Sequence, residues 1–138
     1  MEQQNYGEIA IFNSEDGTAK VQIQAVVKDE TVWLTQRAMS ELFGVNSQAI
    51  TKHLQNIYTE GELEQSATCS KMEQVQLEGN RNVSREVSFY NLDAIIAVGY
   101  RVNSKRATQF RILATSILKD YLVKGFALDD ERFKKGQS

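Results

Sequence analysis

Two short helical patterns separated by one glycine constrain the fold of this chain most strongly. One amphipathic run extends from Thr35 to Phe43, and a second extends from Asn46 to Tyr58. Thr and Asn are good helix N-caps, because a side-chain oxygen can accept a hydrogen bond from an otherwise unpaired backbone N–H. Gly44 ends the first run, since glycine adopts positive φ without strain. The pattern therefore predicts two helices joined by a three-residue turn.

The residues around this joint are typical of a helix-turn-helix. Ser40, four positions before Gly44, is small enough to allow close helix crossing, and Val45 can fill the corner behind the turn. Ile50 and Leu54 then anchor the second helix in the core. We predict a helix-turn-helix whose structural turn consists of Ser40, Gly44 and Val45.

The outer face of the second helix carries polar or basic side chains and no carboxylate. Gln can make paired hydrogen bonds to adenine, while Ser and Thr hydroxyls can bond a base or a phosphate. This face is typical of a recognition helix in a major groove, and an ordinary helical corner with a solvated face is the alternative. The predicted recognition residues are Ser47, Gln48, Thr51, Lys52 and Gln55.

Alternating apolar residues predict strands on both sides of this helix pair. Residues 8–12, 21–25 and 31–34 form one group of strands. Residues 71–77 and 83–90 alternate in the same way on either side of a Gly- and Asn-rich turn, which predicts a β-hairpin. We therefore expect small antiparallel hairpins packed with the helices.

Two further helices complete the predicted domain. Asn91 can cap a helix over 92–102, and an amphipathic helix over 105–124 ends at Gly125. The predicted fold class is α+β, a winged helix-turn-helix-like domain with a long C-terminal amphipathic helix. We assign residues 1–128 to one domain and 129–138 to a flexible tail that leads to a downstream domain in a longer protein.

Other polar residues are candidates for contacts with the DNA backbone. Thr35 begins the first helix, the hairpin tip is polar, and a basic cluster lies around the start of the last helix. The alternatives are a plain hydrophilic turn for the tip, and a solvated face or ion pairs with the acidic N-terminal arm for the cluster. The tip residues are Asn80, Arg81 and Asn82, and the cluster contains Arg101, Lys105, Arg106 and Arg111.

Composition limits the other functional classes. The net charge of −2 argues against indiscriminate coating of nucleic acid, although residues 42–59 contain Lys52 and no acid. His53 and Cys69 are single, so protein ligands alone cannot form a structural zinc site. No nucleotide-binding or hydrolase motif is present, and we expect neither catalysis nor a cofactor. The absence of a long apolar run or signal-peptide core predicts a cytoplasmic protein without membrane contact.

Two blocks of sequence carry a family resemblance. VWLTQRAMSELFGVNSQAITKHL is followed by VSFYNLDAIIAVGYRVNSKRATQFRILATSILKDYLVKGFALDDER. Together they resemble the N-terminal part of the virulence-associated RhuM family of bacteria, from about Ala19 to Arg132, and most specifically over Asn91 to Arg111. The pattern is also similar to the amino-terminal domains of phage antirepressors. The resemblance implies a DNA-binding domain that belongs to a longer protein.

These observations lead to one functional prediction and one alternative. We predict a sequence-specific double-stranded DNA-binding protein, a transcriptional or phage-like regulator that uses its helix-turn-helix over 35–58. The alternative is a protein-interaction module, either an antirepressor or an adaptor for a C-terminal effector. In that case the helix over 105–124 contacts a protein partner or a second copy of the chain.

Overall fold

The computed structural model describes residues 5–13 and 20–136, with side chains described for residues 23–75 and 77–125. It has the mixed α+β fold that the sequence predicts. The elements are β1 (Asn5–Asn13), β2 (Lys20–Lys28), β3 (Thr31–Thr35), α1 (Gln36–Phe43), α2 (Ser47–Thr59), α3 (Gln65–Thr68), β4 (Cys69–Glu78), β5 (Arg81–Asn91), α4 (Leu92–Arg101) and α5 (Lys105–Gly136).

The described strands form a single antiparallel sheet in the order β1-β2-β3-β5-β4. The short strand β3 pairs with β2 on one side and with β5 on the other, where Leu34 lies opposite Tyr90. The two groups of strands predicted from the sequence are therefore joined through β3. β3 ends at Thr35, where α1 begins, while β2 and β5 continue beyond that point. Because β3 no longer lies between them there, β2 and β5 form two separate arms.

Side chains from the two faces of the sheet enter two separate cores, because successive residues of a strand point to opposite faces. Ile23, Leu34 and Tyr90 face the helices and pack in the larger core. The smaller core on the other face is formed by Val26, Trp33, Met72 and Phe89. The larger core contains the inner faces of α1, α2 and α4, and so fixes the helix pair against the sheet.

The three helix starts predicted from cap residues are confirmed. The side-chain oxygens of Thr35, Asn46 and Asn91 each accept a hydrogen bond from the backbone N–H three residues later, at 3.0, 2.8 and 3.2 Å. A cap of this kind stabilises a helix by about 1 kcal/mol. The local pattern in the sequence was therefore sufficient to locate these boundaries.

The predicted end of the last helix at Gly125 is wrong. α5 runs through this residue to Gly136, so residues 129–136, which we expected in a flexible tail, are helical. A glycine inside a helix costs about 1 kcal/mol relative to alanine, which does not by itself stop a helix. The chain also contains no proline that would end the helix after Gly125.

Candidate nucleic-acid interface

The turn between α1 and α2 has the geometry that the sequence predicts. Gly44 lies in the left-handed region, with φ 67° and ψ 37°. Its N–H and that of Val45 both donate to the carbonyl oxygen of Ser40, the second at 3.1 Å. Val45 is half-buried and packs against the larger core. The turn therefore closes the end of α1 and directs the chain into α2.

α2 has one buried face and one polar exposed face. Ile50, Leu54 and Ile57 are buried in the larger core. Four of the five predicted recognition residues lie exposed on the other side, and Thr51 is half-buried between the two faces. The exposed four are Ser47, Gln48, Lys52 and Gln55.

Thr51 is engaged by a residue that the sequence did not indicate. The side-chain amide of Gln36, the first residue of α1, donates a 2.5 Å hydrogen bond to the Thr51 hydroxyl. That hydroxyl donates in turn to the carbonyl oxygen of Ser47 at 3.1 Å. Gln36 therefore braces α2 beside its exposed face. Because the partners are 15 residues apart on different helices, no local pattern reveals this contact.

The start of α5 is fastened to the end of α1. The Ser104 hydroxyl donates a 2.6 Å hydrogen bond to the carbonyl oxygen of Phe43, and the Arg106 guanidinium donates at 2.6 Å to that of Glu41. The last carbonyl groups of a helix lack partners within the helix, and a cation there is favourable. Arg106, predicted as a DNA-backbone contact, thus braces the turn before α2. Thr35, another such candidate, uses its hydroxyl oxygen to cap α1.

The rest of the basic cluster is divided between structural roles and the surface. Arg101 forms ion pairs with Glu60 and with Glu62, the latter at 2.8 Å. Both carboxylates lie just after the end of α2 in the chain. These carboxylates raise the pKa of Arg101. Arg111 donates to carbonyl oxygens at the end of α4 at 2.8 and 3.0 Å. Lys105 is exposed.

The tip of the β4–β5 hairpin is exposed, as expected for a surface arm. Gly79, with φ 63°, begins the two-residue turn between Glu78 and Arg81. The predicted contact residues Asn80, Arg81 and Asn82 are all exposed. Further along the arm, the Arg85 guanidinium donates to both carboxylate oxygens of Glu78 and lowers the pKa of that carboxyl.

The single histidine and cysteine lie at the edge of the core. Burial, together with the charges of Arg101 and Lys52, lowers the pKa of half-buried His53. Cys69 is half-buried beside Tyr90, whose pKa is raised to about 12, mainly by burial. Within the described residues, no group of three or more His, Cys, Asp or Glu side chains is placed to hold a metal ion. The described helices likewise include none with the length and apolar character needed to cross a membrane.

Comparison with known protein families gives a match over the second half of the chain. The family model described as Virulence protein RhuM family matches residues 67–138. This range begins within α3 and includes β4, β5, α4 and α5, whereas the resemblance noted in the sequence also includes α1 and α2. No curated protein and no solved structure gives a match.

Proposed function

The chain belongs to the virulence protein RhuM family, and we propose that it is a cytoplasmic regulator that binds double-stranded DNA sequence-specifically with α1 and α2 as a helix-turn-helix. The observation that carries this proposal is the exposed face of α2, which is polar, includes Lys52 and bears no carboxylate. A DNA major groove, about 12 Å wide, accommodates an α-helix with such a face.

The surroundings of α2 support the same proposal. The acidic residues nearest in sequence, Glu60 and Glu62, are both paired with Arg101, which reduces their repulsion of a phosphate backbone. The β4–β5 hairpin follows α2 in the chain and exposes Arg81 at its tip. A hairpin after the second helix is the arrangement of a winged helix-turn-helix, in which the wing contacts the DNA backbone or an adjacent groove.

We propose different roles for the candidate residues, and the described contacts support this division. We assign base contacts to Gln48 and Gln55, and phosphate contacts to Ser47 and Lys52. Thr51 acts mainly as the point where Gln36 braces the helix. The proposed backbone contacts are the hairpin residues Asn80, Arg81 and Asn82. Arg101, Arg106 and Thr35 are left out of this set, because the polar group of each already makes an intramolecular hydrogen bond.

Selection from a pool of random duplexes tests the proposal. We expect one sequence to be enriched by the wild-type chain, and Gln48→Ala to weaken binding to it by about 1–3 kcal/mol while relaxing the preference at one base pair. Gln65→Ala, an exposed glutamine on α3, is the matched control and should bind as wild type does. Failure to enrich any sequence, or equal binding by Gln48→Ala and wild type, would contradict the proposed readout.

A further inference from the structure

The early end of β3 leaves a slot in the sheet between β2 and β5. β3 lies between these two strands, and adjacent strands are about 4.8 Å apart, so β3 holds its neighbours roughly 10 Å apart. Past the end of β3, β2 over 20–25 and β5 over 81–88 face each other, and no described strand pairs with the facing edges. The slot is therefore about as wide as one extended chain.

The slot coincides with a cavity of about 870 Å³. Its walls include Gln24 and Ala25 of β2 and Glu86 and Ser88 of β5. α1 packs on the face of the sheet that carries the larger core, and its residues 36–38 and 41 also line the cavity, so α1 forms the floor of the slot. The volume lies within the range of roughly 300–1,000 Å³ that is usual for binding sites.

Backbone hydrogen-bonding groups line the slot on both sides. In a hairpin closed by a two-residue turn, the residues that flank the turn bond to each other, and successive residues then point alternately toward and away from the partner strand. Glu78 and Arg81 flank the turn of the β4–β5 hairpin, so the N–H and C=O groups of Ser84 and Glu86 point away from β4 into the slot. The same count along the β2–β3 hairpin directs those of Gln24 into the slot from the other side.

We propose that the slot binds an extended peptide segment of a partner protein, which inserts between β2 and β5 as an additional strand. Each of these strands is antiparallel to β3, so they run parallel to each other, and one inserted strand can pair with both as β3 does. Addition of a strand to an exposed sheet edge is a general mode of peptide recognition. This binding activity does not depend on the proposed binding of DNA.

The side chains around the slot define the peptide that fits it. Val87 and Phe89 belong to the smaller core and line the cavity, so peptide residues on that face should be apolar. On the α1 face, the cavity is lined by Glu41 and Glu86, of which Glu41 is paired with Arg37 at 3.7 Å. A basic side chain of the peptide can lie beside Glu86. Because the faces alternate along a strand, the expected peptide alternates apolar and basic residues.

Selection from a phage library of random ten-residue peptides on the whole 138-residue chain, without DNA, tests the proposal. We expect enrichment of peptides in which apolar and basic residues alternate. A synthetic peptide of the enriched sequence should slow hydrogen exchange of the Ser84 and Glu86 amides by about tenfold or more. The amide of Leu77, which points outward from the other edge of the same hairpin, should exchange at an unchanged rate.

Proline substitutions distinguish the two edges of the hairpin. Glu86→Pro removes an N–H that faces the slot and lies outside the β4–β5 ladder, and should weaken binding of the synthetic peptide about tenfold or more. Leu77→Pro is the matched control at the outer edge and should bind as wild type does. Glu86→Ala keeps the N–H and should lose less affinity than Glu86→Pro. Circular dichroism of each variant verifies that the fold is retained.

Four results would overturn the proposal. Three are the absence of any enriched alternating sequence, equal binding by Glu86→Pro and wild type, and protection of the Leu77 amide instead of Ser84 and Glu86. The fourth is protection of the slot amides that rises with protein concentration without peptide, which would assign the slot to a second copy of the chain. Gln48→Ala should bind the peptide as wild type does, so failure of peptide binding and failure of DNA binding are separately visible.

Discussion

The hydroxyl of Ser104 donates a 2.6 Å hydrogen bond to the backbone carbonyl oxygen of Phe43, 61 positions earlier in the chain. The same hydroxyl oxygen accepts a bond from the N–H of Ala107 at 3.0 Å, so it caps α5 while fastening that helix to the end of α1. The Arg106 guanidinium adds a second hydrogen bond between these helices, to the backbone carbonyl oxygen of Glu41. The orientation of the turn that leads into α2 therefore depends on the first residues of α5.

Replacing Ser104 with alanine should lower the free energy of unfolding by about 1–3 kcal/mol, because the change removes a helix cap and leaves the Phe43 carbonyl without its partner. Ser116→Ala, at an exposed position on α5, serves as the control and should leave the free energy of unfolding almost unchanged. Urea unfolding of both variants measures the difference. Equal stabilities would show that the Ser104 bond does not hold the helices together.

Gly44→Ala should destabilise the chain more than Gly61→Ala. Both glycines have positive φ, at 67° and 77°, so both replacements incur backbone strain of about 1 kcal/mol. At Gly44 the added Cβ would also lie 3.2 Å from Cδ of Arg106, whereas no atom lies within 4 Å at Gly61. Urea unfolding should give the larger decrease in the free energy of unfolding for Gly44→Ala. In an Arg106→Ala background, the part of this decrease that comes from the contact between the added Cβ and Arg106 should be smaller. An equal loss at both glycines would mean that Arg106 simply moves aside.

Alanine substitutions at Gly99 and Gly125 should change the stability of the fold in opposite directions. A Cβ at Gly99 would lie 2.7 Å from the Phe110 ring, so α4 and α5 must separate, at a cost of about 1–3 kcal/mol. Gly125 lies within α5 and has no atom within 4 Å of a built Cβ, so alanine should stabilise the helix by about 0.5–1 kcal/mol. Thermal unfolding of each variant determines the sign. Destabilisation by Gly125→Ala would contradict the continuous helix.

His53 should make stability depend on pH. Its folded-state pKa lies below the ordinary 6.5, so as the pH falls below that value the unfolded chain takes up a proton first. The contribution of the neutral imidazole to stability is therefore present above about pH 6.5 and is lost as the pH falls toward the folded-state pKa. Urea unfolding at about pH 7.5 and about pH 5.5 should show this loss in wild type and a smaller one in His53→Gln. An identical loss in the variant would assign the dependence to other groups.

Local signals in the sequence were enough to predict much of this fold. The caps Thr35, Asn46 and Asn91 and the positive φ of Gly44 follow from chemistry within four residues of each position. Helix and strand periods likewise predicted where α2, β4 and β5 lie. The interpretation of Gly125 as a helix end failed because glycine disfavours a helix without forbidding it.

The sequence could not predict which candidate side chains bind other parts of the chain and which remain open to DNA. Arg101 and Arg106 were expected on a DNA-facing surface, yet their partners are 39 to 65 positions away. The brace from Gln36 to Thr51 and the pairing of β3 with β5 are also nonlocal. A cation on a polar surface looks the same in sequence whether it binds phosphate or a distant carboxylate.

The dependence of duplex affinity on salt tests the central proposal most directly. Titration of the wild-type chain into a labelled duplex at several salt concentrations should give an affinity that falls as salt rises, because phosphate contacts release counterions. Lys52→Ala should reduce the slope of log affinity against log salt by about one unit, whereas Lys119→Ala, on the exposed surface of α5, should leave it unchanged. Absence of duplex binding near physiological salt at high micromolar protein, or one slope shared by all three chains, would contradict DNA binding through α2.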